Sequence, residues 1–167
     1  MLPGSGTRTP AATPVPEGCP PGRSGFLRAD RFASMKLIVN VDGGARGNPG
    51  PAAIGIVIRD GEGNVLQDLA ETIGQASNNV AEYQALIRGV EMAIELGGDE
   101  LDIRGDSELV VKQMLGQYKV KHPDMKPLHT RAKELLGGVG SWSISHVRRE
   151  QNAEADALVN QALDAAS

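Results

Sequence analysis

KLIVNVDGGARGNPGPAAIGIVIRD, residues 36–60, decides the fold class. Leu37, Val39 and Val41 recur with the period of two that belongs to a strand, and that strand is expected to end at Asp42. The following GGARGNPGP (43–51) reads as a glycine-rich loop, and AAIGIVIRD (52–60) as a second strand. GEGN (61–64) has the Gly/Asn chemistry of a hairpin turn, and VLQDLAETIG (65–74) makes a third strand. Three strands joined by short connections form an antiparallel meander.

From Asn78 the apolar period changes to that of a helix. Tyr83, Leu86, Ile87, Val90 and Ile94 share one stripe, Asn78 or Asn79 is the expected N-cap, and Gly97-Gly98 ends the run. ELDIRGD (100–106) is a short strand leading into a helix over 107–116. A basic linker, KVKHPDMK (119–126), overlaps the start of a helix over roughly 124–136; SWSISHV (141–147) is the last strand, and a closing helix covers about 151–165. The order is β-β-β-α-β-α-α-β-α. Right-handed crossovers then give an α/β fold with a mixed five-stranded sheet, three antiparallel strands followed by parallel ones, flanked by helices.

Residues 1–34 differ from the rest. They hold six of the ten prolines and no helical or strand period, so the expectation is a disordered Pro/Gly-rich leader preceding one catalytic domain over 35–167. Met35, immediately before the first strand, is an alternative start of translation. Hydrophobic residues at 40% and charged residues at 23% suit a packed domain and not a disordered chain. No apolar run approaches the roughly 18–20 residues that would span a bilayer. The single cysteine, Cys19, leaves no internal disulfide and no zinc cluster, which fits a reducing cytoplasmic setting. Setting the leader aside, 13 Lys/Arg face 19 Asp/Glu, a formal charge of −6. A protein that gripped nucleic acid by charge alone would be basic, so the placement of the acids carries the argument.

Asp42 lies at the carboxyl end of the first strand and Asp106 at the carboxyl end of the fourth, where α/β sheets bind their ligands. Glu82 sits one turn into the first long helix beside its buried stripe. Asp156 lies early in the closing helix among Ala153, Ala155 and Ala157. Each has a plainer reading: a turn former at Asp42, a helix cap at Asp106, and solvated acids at Glu82 and Asp156. Taken together they suggest one converging site. Carboxylates are hard oxygen ligands for Mg²⁺ or Mn²⁺, and four can hold two ions about 3.5–4 Å apart for phosphodiester hydrolysis.

Four segments in order, VDGGARGNPGPAAIG (41–55), NNVAEYQAL (78–86), IRGDSELVVKQM (103–114) and REQNAEADALVNQA (149–162), resemble the type 1 ribonuclease H family. The resemblance implies a ribonuclease H-like sheet and endonucleolytic cleavage of the RNA strand of RNA–DNA hybrids, giving 5′-phosphate and 3′-hydroxyl ends. Asp42, Glu82, Asp106 and Asp156 match the family's catalytic and metal-binding acids, with two Mg²⁺ or Mn²⁺ ions when substrate is bound. Gly43, Gly44, Asn48, Ser77, Asn78 and Asn79 match its contacts to the hybrid. Short polar groups suit recognition of 2′-hydroxyls across a wide minor groove.

Three departures mark a compact member. The histidine-containing loop before the last acid is shortened to HVRREQNAEAD; His146 belongs to the last strand, and Arg149 is the first candidate for the auxiliary group, with Arg148 and Glu150 as alternatives. Glu108 stands where many members have glutamine, and the long basic protrusion is reduced to the 119–126 stretch with Lys112, Arg131 and Lys133 nearby. No obligate protein partner is implied. The competing readings are another nuclease of the same fold and a non-catalytic hybrid-binding module.

Overall fold

In the computed structural model the described residues are 35–166, so the leader read from residues 1–34 lies outside them. The alternation of β1 (Lys36–Ala45) divides its residues between two faces, and the rest of the fold is built on that division. β1 pairs antiparallel with β2 (Gly50–Asp60), and β2 pairs antiparallel with β3 (Val65–Ala76). On its other edge β1 pairs in parallel with β4 (Glu100–Gly105), which pairs in parallel with β5 (Ser141–His146). The spatial order β3-β2-β1-β4-β5 is the mixed sheet that the sequence implies.

Leu37, Val39 and Val41 of β1 and Ile54, Ile56 and Ile58 of β2 bury against α1 (Asn78–Glu95), α2 (Glu108–Met114) and α3 (Lys126–Gly137) in one large aliphatic core. The opposite face is covered by α4 (Ala153–Ala166), entered through a 3₁₀ turn at Arg149–Asn152. Its apolar core is small: Ala53, Val159, Ala162 and Leu163, with Ala70 beside them. No helix among the described residues is long and apolar enough to cross a membrane.

Three local expectations are corrected. β1 does not stop at Asp42 but continues through Gly43 and Gly44, which pair with Ile54 and Ala53. Gly43 answers a packing demand. A Cβ at Gly43 would run into the backbone of Ala81 in α1, so glycine is what lets the helix lie close to the strand. The N-cap of α1 is Ser77, whose hydroxyl accepts from the Val80 amide at 3.2 Å, and not Asn78 or Asn79. At the other end of the helix Ile94 is exposed and lies outside the buried stripe.

Candidate active site

Three of the four sequence-predicted acids meet at one point. Asp42 is on β1, Glu82 on the second turn of α1, and Asp106 directly after β4; one carboxylate oxygen from each lies within 4.8 Å of the others. The parallel β1–β4 pairing aligns Val41 with Gly105, which places the two aspartates side by side at the carboxyl ends of neighbouring strands. The N–H of Gly43 donates to Glu82 Oε1 at 2.6 Å and ties the helix acid to the strand. The N-cap of α2 is Ser107, which accepts from Val110, so Asp106 is not spent on capping.

The cluster is electrostatically frustrated. Burial, then the charges of Glu82 and Asp106, push the Asp42 carboxyl up to about 10. Burial and the charge of Asp106 push Glu82 up to about 7, with the Gly43 amide pulling the other way. Asp106 Oδ2 is buried with no hydrogen-bond partner; the nearest cation, Arg149 Nε, stands at 3.6 Å on a side chain that is 78% exposed. An orphaned buried oxygen and three hard donors held against their own repulsion fit divalent-metal ligation.

Asp156, in the first turn of α4, is outside this three-acid set but lines the same cleft of about 370 Å³, as do Arg149, Asn78, Asn79 and Asn160. Asn160, one turn further along, donates to the Asp156 carbonyl at 3.2 Å and stands 3.5 Å from its carboxylate.

Two of the polar groups assigned to the hybrid, Asn48 and Asn78, are joined by a chain of hydrogen bonds. The Asn78 side chain accepts from the Ala45 amide at 2.9 Å, and the Asn48 side chain accepts from the Asn78 amide at 3.1 Å. Capping by Ser77 leaves the Asn79 side chain on the cleft wall. Gly43 is buried and its N–H is committed to Glu82, whereas Gly44 is partly accessible. His146 closes β5 opposite Gly105 and does not line the cleft. Glu108 is held by Lys112 at 3.0 Å.

Two buried residues were missed. Asn152 and Asn40, 1% and 6% exposed, bond to each other between the 3₁₀ turn and β1. Nothing local announces them, because an asparagine in REQN reads as an ordinary turn residue.

The family described as "Reverse transcriptase-like" matches residues 40–162. Ribonuclease HI of Halobacterium salinarum is 45% identical over 150 residues, covering 90% of this chain and 74% of that protein. The chain belongs to the ribonuclease HI family. The crystal structure of the RNase H1 of the same archaeon superposes with a TM-score of 0.76 at 48% identity, covering 78% of this chain and 98% of that one. LC11-RNase H1, solved in complex with an RNA/DNA hybrid, gives 0.74 at 46% identity, covering 78% and 98%. Ribonuclease HI enzymes are metal-dependent nucleases, and the carboxylate cluster that such chemistry needs is present here.

Proposed function

We propose that this ribonuclease H hydrolyses the RNA strand of RNA–DNA hybrids endonucleolytically, leaving 5′-phosphate and 3′-hydroxyl ends, with two Mg²⁺ or Mn²⁺ ions engaged when substrate is bound. The observation that carries the reading is the convergence of Asp42, Glu82 and Asp106 from three elements, with Asp106 Oδ2 unsatisfied. Asp156 completes the donor set from across the cleft. Bound ions would supply an activated water and neutralise charge on the scissile phosphate and the leaving oxygen.

The side chains prepare that chemistry. Gly43 fixes the rotamer of Glu82 through its amide. Arg149, highly exposed and poised 3.6 Å from Asp106, is the auxiliary group that would meet the phosphate leaving the site. Gly44, Asn48, Asn78 and Asn79 present exposed amides and carboxamides to ribose 2′-hydroxyls, which both donate and accept. Ser77 acts through the helix it caps. Recognition of a hybrid is supported by the 46% identical relative solved with one.

For the DNA strand, the basic residues divide in two. Lys112 is paired with Glu108, Arg131 with Glu91, and Lys133 stands 5.6 Å over the Trp142 ring. Lys119 and Lys126 instead line a groove of about 650 Å³ between α2 and α3, beside exposed Tyr118, and have no ion-pair partner among the described residues. They are the surface we assign to DNA phosphates. The single cysteine, Cys19, supports a reducing cytoplasmic setting.

The test is a strand-labelled hybrid incubated with purified protein, with and without Mg²⁺ or Mn²⁺, beside duplex DNA, duplex RNA and single-stranded RNA. Metal-dependent internal cuts confined to the RNA of the hybrid are expected. Equal cutting of duplex DNA, or cutting without metal, would refute the assignment.

A further inference from the structure

Asp42, Glu82 and Asp106 are placed by the sheet and by α1, but the position of Asp156 depends on where α4 rests. The apolar packing under α4 is thin and made mostly of small side chains, which set a helix's register along its axis poorly. Directional contacts are found at its entrance. Asn152 Nδ2 donates to the Val41 carbonyl at 2.9 Å, and Asn152 Oδ1 accepts from Asn40 Nδ2 at 2.9 Å. Val41 is the residue immediately before Asp42. Arg59 of β2 reaches Asn40 Oδ1 at 3.5 Å and pairs with Glu154, two residues beyond Asn152.

We infer that the buried Asn40–Asn152 pair is a positioning device that fixes the entrance of α4 against β1 and thereby sets Asp156 and Arg149 in the carboxylate cleft. Asn152 precedes Asp156 by four residues, one helical turn, and follows Arg149 by three, so both cleft groups belong to the segment it pins. A buried carboxamide costs free energy unless its donors and acceptors are matched, and here they are matched by the strand that carries Asp42. An aliphatic pair would bury as well but would leave the turn free to slide. Neither asparagine lines the carboxylate cleft, so the role is exerted through Asp156 and Arg149. This rests on the functional reading above only for its kinetic arm.

The experiment uses the full chain and two readouts. In metal-free protein, amide hydrogen exchange followed by mass spectrometry should accelerate at least about tenfold across residues 153–160 in Asn152→Ala, while residues 80–94 of α1 change by less than about twofold. Uniform acceleration would make Asn152 an ordinary stabilising residue and would overturn the proposal, as would no change at all. In the kinetic arm, hybrid cleavage is measured for wild type, Asn152→Ala, Asp156→Asn and the double variant, with Mn²⁺ available where Mg²⁺ rates are too low. Asn152→Ala should lower kcat about 10–100-fold with little change in KM, the range for residues that orient a metal site's ligands. In the Asp156→Asn background the same change should cost clearly less than in wild type, because one of the two groups it positions is already altered. An equal loss in both backgrounds would overturn the proposal. If Asn152→Ala does not fold, Asn40→Leu replaces it; this removes the bonds to Asn152 and to Arg59 and leaves Asn152 on Val41, and the same non-additivity is expected, with additivity again overturning the proposal. An inactive wild type would defeat the functional reading and leave the exchange result standing.

Discussion

The two faces of the sheet are built from different materials. Under α1, α2 and α3 lie Leu37, Val39, Ile54, Ile56, Leu86 and Ile103, all almost fully buried; under α4 the apolar set is Ala53, Val159, Ala162 and Leu163, with a buried asparagine pair beside it. The first face supplies most of the hydrophobic stabilisation, because burial scales with apolar area. The second brings a helix close enough to carry functional groups. Gly55 makes that approach possible, since a Cβ there would run into the Ala155 carbonyl oxygen, next door to Asp156. Stability thus comes mainly from one side of the sheet, whereas Asp156 and Arg149 are set from the other.

Substitutions can break or sharpen that contrast. The largest effect belongs to the seam between the faces: Asp42→Asn should lower hybrid cleavage at least roughly a hundredfold, since it deletes a proposed metal donor at nearly constant volume. The same variant should melt higher than wild type in EDTA, by roughly 1–3 kcal/mol, equivalent to relieving one or two pKa units of repulsion. A lower melting point for the metal-free variant would contradict the frustration argued for the cluster. Next comes Gly55→Val, which must displace α4; it should cost at least about tenfold in kcat, as expected when a misplaced group loses near-attack geometry. Leu86→Ala on the opposite face should do the reverse, removing about 2–5 kcal/mol of stability while kcat below the melting transition stays near wild type. If chemical denaturation and initial rates show the two variants behaving alike, the division of labour is wrong.

The smallest effect is a slope. Asp42 rises from an ordinary 3.8 to about 10 in the folded protein, and Glu82 from 4.5 to about 7, so folding takes up protons in between. The stabilisation from their protonated forms is fully present below the unfolded values and is lost as pH rises through the folded ones. Metal-free wild type should therefore lose thermal stability from about pH 5 to pH 9 more steeply than Asp42→Asn, by melting at matched ionic strength. Parallel curves would count against the shift at Asp42.

Much of this was legible in the chain. The period-two run of β1, the Gly/Asn turn at 61–64 and the helical stripe of α1 are local signals; each element is there, although β1 runs past Asp42 and the stripe stops short of Ile94. Asp42 and Asp106 were visible as candidates because a carboxylate at a strand's carboxyl end stands out against an apolar run. The packing role of Gly43 and the buried pairing of Asn40 and Asn152 were not, and for one reason. Their requirements are set by partners distant in sequence: Gly43 by the backbone of Ala81, Asn152 by Asn40, 112 residues away. Local propensity reads a glycine pair as a loop and an asparagine as a turn, and tertiary contact overrides both. The cap at Ser77 was missed by a single position, a choice among three adjacent polar residues that depends on backbone angles.

The parallel pairing of β1 with β4 also shapes how the chain is made. β2 and β3 follow β1 directly, but the partner for its other edge arrives only with residues 100–105. At synthesis rates of about 5–20 residues per second, the ribosome adds that partner on the order of ten seconds after β1 emerges. During that interval an edge bearing Leu37, Val39 and Val41 has no neighbour in its own sheet. Unpaired apolar edges recruit other chains, so crowding of nascent copies is the stage at which this protein is most exposed to misassembly.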